Sequence, residues 1–473
     1  MTDANAAAEI AYLSVSDLTA RYRDKSLSPR EALAAAMTRI DAYNETVNAF
    51  RFVDREGAEK AAAESEARWM KGEPLGPLDG VPATVKDIVW VKGWTTTYGS
   101  AILADKAPST EDAPCVARLR EDGAVLLGMT QSPEIGWKGV TDSPAHGITR
   151  NPWNIDRTPG GSSGGAAAAC ALGMGALHIG TDGGGSIRIP SAFTGLFGIK
   201  ASFGRVPAYP ASAFGTVAHI GPMARSVADA VSMLNCLAQP DVRDWYSLPY
   251  DGRDYRDGLE DGIKGLKIAY SPTLGYAKVD PEIAALVRKA VEELAALGAD
   301  VEEIDPGFDC PREMFHKLWF PAAAFRTRHL TGEQRRQLDP GLQEVIEQSK
   351  AWGMTDYMQA TQERAALGML MRKFHQKYDL LVTPTLPVPA FKAGEELSDP
   401  GQTRWTGWAD FTYPFNLTQQ PAASIPCGFT KDGLPASLQI VGAMHDESTV
   451  LRAARAYERR HPLVMPMEPR HGR

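Results

Sequence analysis

Two serine clusters and one lysine stand out as groups able to carry chemistry. The first cluster is Ser162-Ser163 in GGSSGG, and the second is Ser186 in GTDGGGSIRIP, 24 residues further on. A serine hydroxyl is a weak nucleophile until a base takes its proton, so a base must lie elsewhere in the chain. His146, His178 and His219 flank the clusters, but none has an orienting acid in a recognisable order and no GxSxG elbow is present. His178 sits in an apolar stretch and reads as a core histidine. Lys86, in GVPATVKD, is the alternative: a charged side chain on an otherwise apolar, strand-like run. Burial there disfavours the ammonium form and lowers the pKa, which makes the amine a base near neutral pH. Gly183-Gly184-Gly185, just before Ser186, leaves consecutive backbone N–H groups free to converge on a developing oxyanion. A phosphate loop would need GxxxxGK[ST], and no Lys-Ser/Thr follows either cluster. GMGALHIG, residues 173–180, is a poor dinucleotide fingerprint with no early strand before it.

These groups need a scaffold, and the chain around them alternates helix and strand patterns. The first ~70 residues read as helix, with Ser28-Pro29-Arg30-Glu31 forming a capping box with proline at the first helical position. From Gly80 the pattern turns to strands, VPATVKDIVWVKG and then AVLLGM. An Ala-rich helix separates the two serine clusters, and HIGTD is a strand that ends at the second. LKIAY, a helix opened by Asp280-Pro281 and closed by Gly298, and ADVEEI form a strand–helix–strand unit. The helix carries Ile283, Leu286, Val287, Ala290, Val291 and Leu294 on one face. DLLVTPT, ASIPCGF and ASLQIVG supply further strands, and STVLRAARAYERR a closing helix. The expected class is α/β, one large domain over residues 1–473 with a mixed, mainly parallel sheet covered by helices on both faces. Within it, residues 1–75 are N-terminal helices and 76–240 the catalytic core. Residues ~309–376 form a variable helical cap, and 377–473 return to the core.

Composition excludes several classes. Acidic residues outnumber basic ones, 58 to 50, and no Lys/Arg run forms a stripe for nucleic acid. Five scattered cysteines without a CxxC pair fit reduced thiols rather than a disulfide framework or zinc site. No basic leader and no sustained apolar run is present, so a cytoplasmic protein with no membrane partner is expected. A homodimer is the expectation on symmetry grounds alone.

In their order, Lys86, GGSSGG and GTDGGGSIRIP closely resemble the signature of the amidase signature family of serine hydrolases. The resemblance is strongest over residues 75–237 and returns over 379–457, in TPTLPVPA, FTYPFNLTQQPAASIPCGF and LPASLQIVG. It implies a Ser–cis-Ser–Lys triad: Ser186 as nucleophile, Ser162 as the bridging serine after a cis Gly161–Ser162 bond, and Lys86 as base. It also implies an oxyanion hole from the backbone N–H groups of Gly183, Gly184, Gly185 and Ser186. Asp182 and Arg188 would brace the loop, with Ser163 and Thr181 supporting. No metal or organic cofactor is implied. The substrate expected is a small uncharged amide, anilide or carbamate, cleaved at its C–N bond. Trp319, Phe320, Phe325, Trp352, Trp405, Trp408, Phe411 and Tyr413 are candidates for the pocket wall or, equally, the core. The alternative is the glutaminase subunit of a tRNA-dependent amidotransferase, with Asp410 near the acid that would recognise the glutamine amino group. That subunit's Val-Lys-Arg-Arg-Ile-type stretch has no counterpart in LDPGLQEVIEQSKAWGMTDYMQA.

Overall fold

A computed structural model describes residues 3–472. Its strands in chain order are β1 Phe50–Val53, β2 Pro82–Lys86, β3 Val125–Thr130, β4 Asp142–Ser143, β5 Gly147–Ile148, β6 Leu177–Asp182 and β7 Phe197–Lys200. They continue with β8 His219–Ala224, β9 Lys267–Tyr270, β10 Asp300–Glu303, β11 Leu380–Pro384, β12 Ala422–Phe429 and β13 Pro435–Gly442. Eleven of them form one sheet in the order β1-β3-β2-β6-β8-β7-β12-β13-β11-β9-β10, while β4 and β5 make a separate small hairpin.

The sheet is mixed. Parallel ladders fall in two blocks, β3-β2-β6 and β11-β9-β10, where helices provide the crossovers. The centre, from β6 through β8, β7, β12 and β13 to β11, is antiparallel, as is the β1 edge. Every residue of β2, β3 and β8 is buried, which is what strands covered on both faces require. The edge strand β10 reads DVEE and is largely exposed, so its charges protect an open edge from pairing with another chain.

Most expected elements form where the residues indicate. Ser28 and Glu31 make the reciprocal capping box of the helix Pro29–Val47. The helix Pro281–Ala296 starts on the Asp280 carboxylate and buries Ile283, Val287, Ala290, Val291 and Leu294, with Leu286 only partly covered. Gly298, at φ 98°, turns the chain into β10. The N-terminal region is not wholly helical. Asn48 in the left-handed conformation ends Pro29–Val47, and Phe50–Val53 then runs as an edge strand against β3. The sequence between residues 309 and 376 does form helices, at Arg312–Arg326, Gly332–Arg335, Pro340–Ser349 and Met354–Phe374. No helix among the described residues is long and apolar enough to cross a membrane.

Candidate active site

β2 and β6 are parallel neighbours, so Lys86 at the end of one comes beside Thr181 and Asp182 at the end of the other. Carboxyl ends of parallel strands are where α/β sheets gather ligand sites. Between the two strands in sequence lies the helix Gly164–Ala171, whose eight residues are all buried. Its small side chains let it pack beneath the sheet and bring Ser162 and Ser163, at its N-terminal side, against β6. The Gly161–Ser162 bond is cis.

Lys86 is completely buried, and its Nζ lies 2.6 Å from Ser162 Oγ, 2.9 Å from Ser163 Oγ and 2.9 Å from Thr181 Oγ1. Burial holds the amine well below its ordinary pKa, with the Asp182 charge opposing only in part. A neutral amine has two N–H groups and one lone pair, so three hydroxyls satisfy it when one of them donates to the nitrogen. Ser163 is the anchor of the cluster. Its Oγ also donates to Thr181 O at 3.2 Å, and its N–H donates to Ser186 O at 3.2 Å.

The loop from Gly183 to Ser186 is shaped by a buried ion pair. Arg188 Nε and Nη2 donate to the Asp182 carboxylate at 3.0 and 2.8 Å, with both side chains fully buried. The same guanidinium donates to Thr412 O at 2.9 Å, Gln439 Oε1 at 2.7 Å and Asn416 Oδ1 at 2.7 Å. Burial raises the Asp182 pKa, but the Arg188 charge and hydrogen bonds from Arg188 and Asn416 outweigh it and hold the carboxyl well below its usual range. The carboxylate then accepts from the N–H groups of Gly185, Ile187 and Arg188 at 2.8, 3.2 and 3.3 Å. The Gly185 amide is therefore occupied, and the expectation that it faces an oxyanion is corrected. Among the described residues, the amides of Gly183, Gly184 and Ser186 donate to no protein acceptor. Gly184 has no alternative residue: a Cβ there would lie 2.7 Å from Trp405 Cη2 and 2.9 Å from Phe315 Cζ.

Ser162, Thr181, Gly183 and Ser186 all border one cavity of about 490 Å³. Of the aromatic residues expected in its wall, Trp319 and Phe325 are there. Phe320, Trp405, Trp408, Phe411 and Tyr413 are buried in the core, and Trp352 packs against Phe320 at a ring separation of 5.9 Å. Trp90, Tyr98, Tyr209 and Phe214 also line it, and the sequence reading missed them. Phe214 stacks on Trp319 at 3.8 Å between centroids, and Trp90 Nε1 donates to Tyr98 Oη at 2.7 Å. Trp90, Tyr98 and Tyr209 stand in segments that read only as strand and loop, so nothing in their spacing marks them. Asp410 does not border the cavity; Arg312 pairs with it at 2.6 Å and Tyr413 Oη donates to it at 3.0 Å. His178 is the core histidine expected, with Nδ1 2.7 Å from Thr84 Oγ1 and burial pushing its pKa down to about 3. Among the described residues no cluster of His, Cys, Asp and Glu is placed to hold a metal ion.

Residues 31–451 match the family model described as Amidase. The chain belongs to the amidase family. This amidase is 38% identical to an acylamidase of Rhodococcus erythropolis, over 95% of this chain and 96% of that one. It is 36% identical to a glutamyl-tRNA(Gln) amidotransferase subunit of Myxococcus xanthus, over 95% and 97% of the two chains. Among solved structures, a bacterial aryl acylamidase of the amidase signature enzymes superposes with a TM-score of 0.89 at 33% identity, covering 95% of this chain and 96% of that one. The amidase is a hydrolase of amide C–N bonds, and its α/β fold is that of amidase signature enzymes.

Proposed function

We propose that this amidase cleaves small acyl amides and anilides, with carbamates as further substrates, through an acyl-enzyme on Ser186. The observation that carries the reading is the buried Lys86 amine, 2.6 Å from Ser162 Oγ, beside a cavity that Ser162 and Ser186 share. As Ser186 Oγ attacks the carbonyl carbon, its proton passes to Ser162, and the proton of Ser162 passes to Lys86. The carbonyl π electrons move to oxygen, and the N–H groups of Gly183, Gly184 and Ser186 hold the resulting anion. Collapse breaks the C–N bond, and the relay returns one proton to the departing amine. Water then adds to the ester by the same relay and releases the acid and free Ser186.

The aromatic wall of Trp90, Tyr98, Tyr209, Phe214 and Trp319 supports an aryl or other flat apolar group beside the scissile bond. The relative from the tRNA-dependent amidotransferase favours glutamine as a second reading. Against it, Asp410 is neutralised by Arg312 and lies outside the cavity wall, so it offers no carboxylate to a substrate ammonium. The unpaired thiols support a reducing, cytoplasmic setting.

The test is turnover of acyl anilides, primary amides, carbamates and glutamine by the purified chain and by Ser186→Ala, with fluorophosphonate labelling alongside. Hydrolysis and labelling that both vanish in the variant are expected. Labelling that persists in Ser186→Ala refutes the nucleophile assignment, and turnover of glutamine alone transfers the protein to the second reading.

A further inference from the structure

Three cationic side chains border the mouth of the cavity. Lys106, Arg326 and Arg328 border the same cavity as Ser186. Lys106 Nζ lies 5.9 Å from the centroid of the Tyr98 ring, and Arg326 Cζ lies 4.4 Å from the same centroid. Arg328 Cζ stands 3.7 Å over Phe325, while its Nη1 donates to Phe325 O at 2.7 Å. Among the described residues, none of these three side chains has a carboxylate within ion-pair distance, although Arg118, Arg120 and Arg312 nearby in the sequence all do. Asp182, which lines the cavity, is already paired with Arg188 at 2.8 Å.

The Tyr98 and Phe325 rings hold these cations in place, so a carboxylate reaching the rim meets charges already positioned. We propose that this rim is the subsite for a carboxylate at the end of the substrate remote from the scissile bond. The preferred substrates are then anionic amides or anilides rather than the wholly uncharged ones expected from the sequence. The proposal rests on the amide-hydrolase reading and narrows it. Such a contact is the same in the ground and transition states, so it lowers KM and leaves kcat nearly unchanged.

Matched substrates test it: glutaryl 4-nitroanilide against 5-methylhexanoyl 4-nitroanilide for the acyl side, and 4-acetamidobenzoate against 4-isopropylacetanilide for the amine side. Each neutral partner replaces a carboxylate by an isopropyl group of similar shape. The carboxylate member of at least one pair is expected to have a KM about tenfold lower, an advantage that shrinks in high salt. Each of Lys106→Gln, Arg326→Gln and Arg328→Gln should reduce that preference about two- to fivefold. Lys106 is on the surface, so its variant reads charge rather than folding. Equal KM values in both pairs, or a preference that the three variants leave unchanged, overturn the proposal. Calorimetric titration of the same four compounds into Ser186→Ala reads the rim without turnover. Charge-dependent binding with no hydrolysis by the native protein sinks the hydrolase reading alone. Hydrolysis of all four without preference sinks the rim alone.

Discussion

Replacing Arg188 by methionine removes five hydrogen bonds from a side chain with no solvent exposure, two of them to Asp182. The cost is dominated by what remains. The Asp182 carboxylate keeps Asn416 Nδ2 at 2.8 Å and three backbone amides, but loses the cation paired with it. Breaking a buried pair from one side costs about 3–5 kcal/mol, and urea unfolding of Arg188→Met at pH 7 should show a loss of that size. The sign of the pH dependence separates this cause from simple loss of packing. In the native protein Asp182 has a pKa below the ordinary 3.8, so its contribution is complete above that value and is lost only as pH falls through the depressed one. Without Arg188 the strongest opposing charge is gone and burial, the largest influence on this carboxyl, outweighs the Asn416 and backbone hydrogen bonds that remain; the folded-state pKa rises, so the folded variant binds more protons than the unfolded chain. Its deficit must therefore grow as pH rises from about 4 towards 7. Asp182→Asn in the Arg188→Met background removes the stranded charge, and the double variant should lose roughly 1–3 kcal/mol less than the sum of the two singles. A loss below about 1 kcal/mol in Arg188→Met, or strictly additive singles, would falsify the view that this pair shapes the loop.

Other groups give shorter tests. Lys86→Met removes the proposed base but puts an apolar side chain where an amine is desolvated, so kcat should fall on the order of 10³-fold or more while the urea midpoint at pH 7 holds or rises. If most activity survives, Lys86 only packs. In the native enzyme, kcat/KM should rise with pH through a pKa well below the 10.5 of an ordinary lysine, and a midpoint near that value counts against a neutral amine. His178, held near 3 against an ordinary 6.5, takes up a proton on unfolding below pH 6.5, so stability falls as pH falls. By pH 5 this amounts to about 2 kcal/mol, and His178→Gln, which can keep the Thr84 contact, should abolish that part of the decline in urea unfolding at pH 8 and pH 5.

The candidate reactive groups were legible because their chemistry is written in short contiguous runs. A glycine run with no room for a Cβ, serines ahead of a small-residue helix and a lysine ending an apolar strand each carry a local signature. What the sequence hid depends on the third dimension. Gly185 looks identical to Gly183 and Gly184, yet the position of the Asp182 carboxylate takes its amide out of use. Trp90, Tyr98, Tyr209 and Phe214 meet in the cavity from segments with no common period. Asp410 reads as an available acid until Arg312 is seen to cover it. The strand Phe50–Val53 is too short to announce itself between two helices and is defined by its partner β3.

The braces of Arg188 also set the order in which the enzyme becomes active. Thr412, Asn416 and Gln439 lie 224, 228 and 251 positions downstream of it, and β7 gains its second neighbour only when β12 arrives. Contacts that distant form after local ones, because a long loop must first be closed. A growing chain that already contains Lys86, Ser162 and Ser186 still lacks the groups that fix the Asp182–Arg188 pair and the loop amides. If Ser186 is the nucleophile proposed above, it is armed by completion of the sheet, and hydrolytic activity becomes a readout of a finished fold.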